Sequence, residues 1–108
     1  MAFGSDWPVA DVAPLRGIKA ALCRERWDDD LQDERVGLIA TLGAYTTGGA
    51  YAAHADGKWG KLKPGYLADL VLLSGDIETT EPKAIDTLEV AMTICGGKIV
   101  YRRAPAAD

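Results

Sequence analysis

The chain has 108 residues, one domain's worth, with twelve basic and sixteen acidic side chains and a net charge of −4. It shows no basic run or Arg-rich face, which excludes the usual nucleic-acid footprint, and its apolar runs fall far short of the ~20 residues that a membrane span needs. The N-terminus has no basic region followed by an apolar core, so a soluble, cytoplasmic protein is expected.

The first element is Phe3-Gly4-Ser5-Asp6-Trp7-Pro8. A small apolar stretch with a glycine, a hydroxyl, an acid, an aromatic and a proline reads as the end of a buried strand that delivers Asp6 into a loop. Asp6 can equally be a turn or N-cap residue. Residues 9–14 form a loop bracketed by Pro8 and Pro14. Leu15, Ile18, Leu22 and Trp27 then recur near helical spacing, with Arg16, Lys19, Arg24, Glu25 and Arg26 opposite them, and predict an amphipathic helix over 14–26.

The block Trp27 to Arg35 carries five acids in nine residues. It lacks the central glycine and terminal glutamate of a calcium loop, so a solvated loop is expected. From Val36 the pattern is helical again: Leu38, Ile39, Leu42 and Tyr45, then Tyr51 and Ala52 beyond Thr46-Thr47-Gly48-Gly49. Two helices are expected, over 37–46 and 47–55, with Thr46 or Thr47 as N-cap of the second. His54, the only histidine, is expected at the C-terminal end of that helix, with Gly57 as terminator. Cys23 and Cys95 lie far apart in no paired motif and read as reduced, partly buried thiols.

The stretch Trp59 to Leu73 predicts a short strand at 60–63, a type II turn at Pro64-Gly65 and an apolar strand at 68–74. Beyond an acidic spacer, Val90 to Tyr101 predicts strands at 88–95 and 98–103 around Gly96-Gly97, a dipeptide suited to a two-residue hairpin. The fold class is therefore α+β, with short helices followed by a small, mostly antiparallel sheet.

Gly4-Ser5-Asp6-Trp7-Pro8-Val9 resembles the last barrel strand of the metal-dependent amidohydrolase superfamily, nearest to the branch of the N-substituted formamide deformylases and the exoenzyme regulatory homologues. The order "G-x-L-x-P-G-x-x-A-D-L-V-x-L" and then "V-x-x-T-I-x-G-G-K-x-V-Y" resembles that family's C-terminal end. Tyr45, Thr46 and Ala50 match its "Y-T-x-x-x-A" turn. Glycines 37, 43, 48 and 49 depart from its richer helix formers.

The resemblance implies that residues 1–56 are a remnant of strand eight of a TIM-like barrel with the helices after it. Residues 57–103 would be the C-terminal part of the small β-sandwich beside the barrel, and 104–108 a tail. It makes Asp6 both a metal ligand and the acceptor of a proton from the attacking water. It implies hydrolysis of a non-peptide carbon–nitrogen bond, such as an amide or N-formyl group, with zinc or a similar divalent metal in the complete enzyme. Asp69 takes a structural place before a buried strand.

The family's other metal ligands are a His-x-His pair, a carboxylated lysine or glutamate and two further histidines, all upstream of the match to Asp6. A whole barrel takes about 250 residues. The isolated chain is accordingly expected to be inactive and to hold no cofactor, since a hydrolytic metal needs several ligands and an open position. Two readings stand side by side: an enzyme fragment or half of a split enzyme, and a non-catalytic interaction module. Either implies self-association or an N-terminal complementing chain, because sheet edges and apolar faces are left uncovered. Residues 1–8 are expected to be weakly held unless a partner captures them.

Overall fold

The computed structural model describes residues 1–105, so the last three positions of the expected 104–108 tail lie outside the described residues. The described residues are α+β, with three short α-helices and one three-stranded antiparallel sheet. Helix α1 spans Pro14–Cys23, α2 Leu38–Tyr45 and α3 Thr47–Ala52. Strands β1, β2 and β3 are Leu70–Leu73, Val90–Cys95 and Lys98–Arg102. A 3₁₀ helix at Pro82–Thr87, which the sequence pattern did not suggest, precedes β2.

Helix α1 opens on Pro14, whose missing N–H is no loss in a first turn. Asp11 accepts the Ala13 N–H at 2.8 Å and pairs with Arg16. The helix stops at Cys23, three residues before the expected end, because the loop after it is tied back. Arg26 donates to the carbonyls of Asp29 and Leu31, and the Val36 N–H reaches the Ala21 carbonyl at 3.0 Å. That last bond satisfies one of the carbonyls a helix end leaves open. The acidic block between them is exposed, as a solvated loop should be.

The threonines between α2 and α3 act differently from the expected caps. Neither makes a side-chain cap to α3; each hydroxyl donates backward, Thr46 to Leu42 at 2.7 Å and Thr47 to Gly43 at 3.1 Å. Such bonds to the carbonyl four residues earlier compete with the helical ladder and bend it. Helix α3 is also shorter than expected. It ends in a Schellman motif, with Ala55 N–H donating to Ala50 and His54 N–H to Tyr51, and His54 at φ 57° in the position glycine usually fills. The terminator is therefore His54 and not Gly57.

Few of the described residues are buried: Ile18, Thr41, Ala44, Ala50 and Ile85. They lie on helical elements that pack in series, α1 against the 3₁₀ helix and α2, and α2 against α3. Thr41 satisfies its hydroxyl by donating to the Gly37 carbonyl at 2.9 Å. Lys19 and Asp86 tie α1 to the 3₁₀ helix at 3.0 Å, half-buried.

In the sheet, β2 is central: Leu70 pairs with Ile94 and Leu72 with Met92 on one side, Thr93 with Tyr101 and Cys95 with Lys98 on the other. Gly96 and Gly97 form the hairpin turn with φ of 56° and 79°, values open to glycine at little cost. The turn is tied to the residues before β1: Asp69 accepts the Gly96 N–H at 2.7 Å and Ala68 accepts the Gly97 N–H at 3.0 Å.

Residues 60–63 are not a strand, since no neighbour pairs with them. Instead Leu67 N–H donates to Lys58 and Tyr66 N–H to Lys63, closing a loop around the Pro64-Gly65 turn. Gly65 has φ 89°, as a type II turn requires. Cys95 is exposed and not partly buried as expected; Cys23 is half-buried.

No helix packs against the sheet among the described residues. The Cα radius of gyration is 15.5 Å, where about 13 Å suits a chain this long. The accessible surface is 8245 Å² for 11.5 kDa, against about 5,800 Å² for a folded monomer of that mass. No helix among the described residues is long and apolar enough to cross a membrane.

Candidate functional site

Asp6 is the residue on which the sequence placed function, and its position is built from the N-terminus inward. The first residues dock on α2. Phe3 N–H donates to the Ala44 carbonyl at 3.1 Å, and the Phe3 ring meets Tyr45 edge-on at 5.7 Å. The Met1 carbonyl lies so close over Gly48 that a β-carbon there would overlap it. Residues 1–3 are thus held, contrary to the expectation of a weakly held segment, and the device that holds them joins two distant parts of the sequence.

Beyond Ser5 the backbone turns away from the helices. Asp6 to Val9 form a turn in which Val9 N–H donates to the Asp6 carbonyl at 2.9 Å and the Trp7-Pro8 peptide is cis. A proline at that turn position with a cis bond makes a type VI turn. Asp6 itself has φ 50°, a conformation that aspartate tolerates better than most residues. Its side chain, like those of Trp7, Pro8 and Val9, is exposed. The strand expected to end at Asp6 is absent, because no neighbouring strand is present to pair with residues 3–5.

The histidine and several further aspartates are spread over the molecule. His54 is exposed and serves the end of α3. Asp69, just before β1, braces the hairpin turn from 27 positions away. Asp76 organises its own loop by accepting from the Glu78 N–H at 2.9 Å and, through its carbonyl, from the hydroxyls of Thr79 and Thr80. Asp86 is taken up by Lys19.

A divalent metal requires several ligands at one point. Among the described residues no three His, Cys, Asp or Glu side chains are grouped to hold one. Asp6 is a single exposed carboxylate, and the residues present do not fit a metal centre by themselves.

The strongest local electrostatics lie elsewhere, in the loop after α1. An open hollow of about 800 Å³ there is lined by Arg24, Arg26, Arg35 and Lys83 together with Glu25, Asp29, Asp33 and Glu81. Within its lining Arg35 and Asp33 form an ion pair, and Arg24 pairs with Glu34 beyond it. Arg35 grips Asp33 at 2.6 Å, and the side-chain hydrogen bond, then the backbone one, hold the Asp33 carboxyl at about 2. The same bond raises Arg35. Neither Asp6 nor His54 lines this hollow.

Comparison with known proteins follows the chain almost from end to end. The sequence model of the amidohydrolase family matches residues 1–101. Protein LONG AFTER FAR-RED 3 of Arabidopsis thaliana is 40% identical over 104 residues, covering 94% of this chain and 18% of that protein. Putative amidohydrolase YtcJ of Bacillus subtilis is 32% identical over 105 residues, covering 93% of this chain and 20% of that protein. The chain thus spans about a fifth of the length of the curated relatives it matches. No solved structure matches significantly.

Proposed function

Because the chain belongs to the amidohydrolase family, we propose that it is the C-terminal part of a metal-dependent enzyme hydrolysing a non-peptide carbon–nitrogen bond, such as an amide or an N-formyl group. The observation that carries this reading is the family match over residues 1–101, which takes in the Asp6 turn and the hairpin sheet in one continuous order. In this reading residues 1–56 are strand eight of a TIM-like barrel with the helices after it, and residues 57–103 are the C-terminal part of the small β-sandwich beside that barrel.

Asp6 is the residue of this chain assigned to the chemistry. Its place in an exposed turn leaves its carboxylate accessible to groups brought by another part of the protein. In the complete enzyme Asp6 would be one of the residues holding the metal, and its carboxylate would accept a proton from water. The remaining ligands come from an N-terminal part, carried on the same polypeptide or on a partner chain. The uncovered sheet supports that reading, since a sandwich is incomplete with one of its layers.

Complementation tests it. The chain is mixed with an upstream product that carries a His-x-His motif, and hydrolysis of N-formyl and N-acyl amines is followed. Activity in the mixture, absent from either part and lost in Asp6→Asn, is the expected result. Equal activity with Asp6→Asn overturns the assignment of Asp6. A complex that forms but never hydrolyses such substrates favours the non-catalytic interaction module.

A further inference from the structure

Residues 3–6 alternate in burial although no strand forms there: Phe3 and Ser5 are half-buried, Gly4 and Asp6 exposed. That alternation is the mark of extended backbone, which turns successive side chains to opposite sides. Phe3 therefore faces the helices and Asp6 faces away from them. Since only Gly4 and Ser5 separate the two, whatever fixes Phe3 also fixes the direction in which the carboxylate is presented.

Phe3 is held through its backbone and through its ring. Its N–H donates to the Ala44 carbonyl at 3.1 Å. Its ring stands edge-on to Tyr45, with centroids 5.7 Å apart and planes at 74°, a favoured arrangement for two aromatic rings. Tyr45 is braced in turn, because its hydroxyl bears on Gly17 of α1. Its side chain thus stands as a wedge between α1 and the N-terminal segment.

We propose that Tyr45 is a positioning residue for Asp6: set between Gly17 and Phe3, its ring transfers the placement of α1 and α2 to the segment that presents the carboxylate. It touches no reacting group and acts through Phe3. The consequence for catalysis rests on the hydrolase reading above, whereas the seating of Phe3 is a property of this chain alone. In a barrel the outward side chains of a strand meet the surrounding helices and the inward ones fill the interior. The same alternation therefore keeps Phe3 on Tyr45 and Asp6 on the inner side when the rest of the enzyme is present.

Two measurements test it. In the chain by itself, nitrogen-15 relaxation reads the seating: the order parameter of the Asp6 amide should drop from near the rigid value of about 0.85 toward about 0.6 in Tyr45→Leu and in Phe3→Leu. Phe3→Leu leaves the packing of α1 on α2 untouched, so it answers even where Tyr45→Leu disturbs the helices. Tyr45→Phe keeps the ring that Phe3 meets and should recover most of the loss. In the complemented enzyme, with the upstream product saturating, both Leu variants should lower kcat about tenfold or more and change KM less than about twofold, since a misplacement of about 1 Å far from the chemistry can cost about a hundredfold. The double variant should lose no more than either single one, because all three remove the same contact. Asp86→Asn, which weakens the fold elsewhere, should leave kcat unaltered. An Asp6 amide equally rigid in both Leu variants, an unaltered kcat where that amide has loosened, additive losses in the double variant, or a loss shared by Asp86→Asn would each overturn the proposal. An inactive wild-type mixture would strike the hydrolase reading instead, and the relaxation measurement would still decide whether Tyr45 places Asp6.

Discussion

The hydroxyl of Tyr45 on α2 lies directly over Gly17 on α1, in the space that a β-carbon at position 17 would occupy. This contact sets how closely the two helices approach. In an isolated helix Gly17→Ala would gain up to about 1 kcal/mol from propensity alone. Here the methyl must displace the ring, and overpacking of that kind costs about 1–3 kcal/mol. Gly17→Ala should therefore lower stability in urea unfolding. Tyr45→Phe in the same chain should recover part of the loss, because only the hydroxyl overlaps and the ring carbon bearing it lies at 3.0 Å.

Gly48 gives the matching prediction for the N-terminus. Gly48→Ala should push the Met1 carbonyl off α3 and free the first residues, breaking the Phe3 to Ala44 hydrogen bond. Amide exchange of Phe3 should rise at least tenfold while the amides of α1 stay protected. If Asp6 acts in the way proposed, the same variant should lower activity in the complemented enzyme, since the segment that positions Asp6 is no longer held.

Lys19 and Asp86 join α1 to the 3₁₀ helix with side chains 37% and 27% exposed. Partial solvation keeps such a pair modest, yet removing one partner leaves the other half-buried and unpaired. Asp86→Asn should cost about 1 kcal/mol. A double-mutant cycle with Lys19→Met should show that the two losses are not additive.

Asp33 titrates at about 2, below its ordinary 3.8, because Arg35 donates to it through side chain and backbone. A depressed folded value means that the pair contributes stability above pH 3.8 and loses it as pH falls toward about 2. In Arg35→Ala the Asp33 carboxyl should return toward its ordinary value when followed by carbon-13 NMR. The extra acid sensitivity of the wild type over that window should vanish as well. The group is fully exposed, so the effect on the melting temperature should be small.

Much of the fold was legible in the sequence because it rests on local rules. The apolar spacing of Leu15, Ile18 and Leu22, the opening Pro14 and the Gly96-Gly97 dipeptide each act within a few residues, and α1 and the hairpin stand where those signals put them. The order of motifs from Asp6 to Tyr101 likewise points to the amidohydrolase family, and the family match spans the same stretch.

What the sequence could not show depends mostly on contacts between distant residues, the local closure that ends α3 being the exception. His54 ends α3 because the Ala55 and His54 amides close back on Ala50 and Tyr51, and nothing in Ala53-His54-Ala55 distinguishes that role from a longer helix. Asp69 braces a turn 27 residues away. Residues 60–63 carry a strand pattern but find no strand to pair with, and the strand expected at Asp6 fails for the same reason. A strand exists only through its neighbours' hydrogen bonds, whereas a helix closes its own. The helices and the hairpin were therefore determined by the sequence itself, and the tertiary structure decided which extended segments became strands, how Met1 to Phe3 are seated and how much of the sheet is left uncovered.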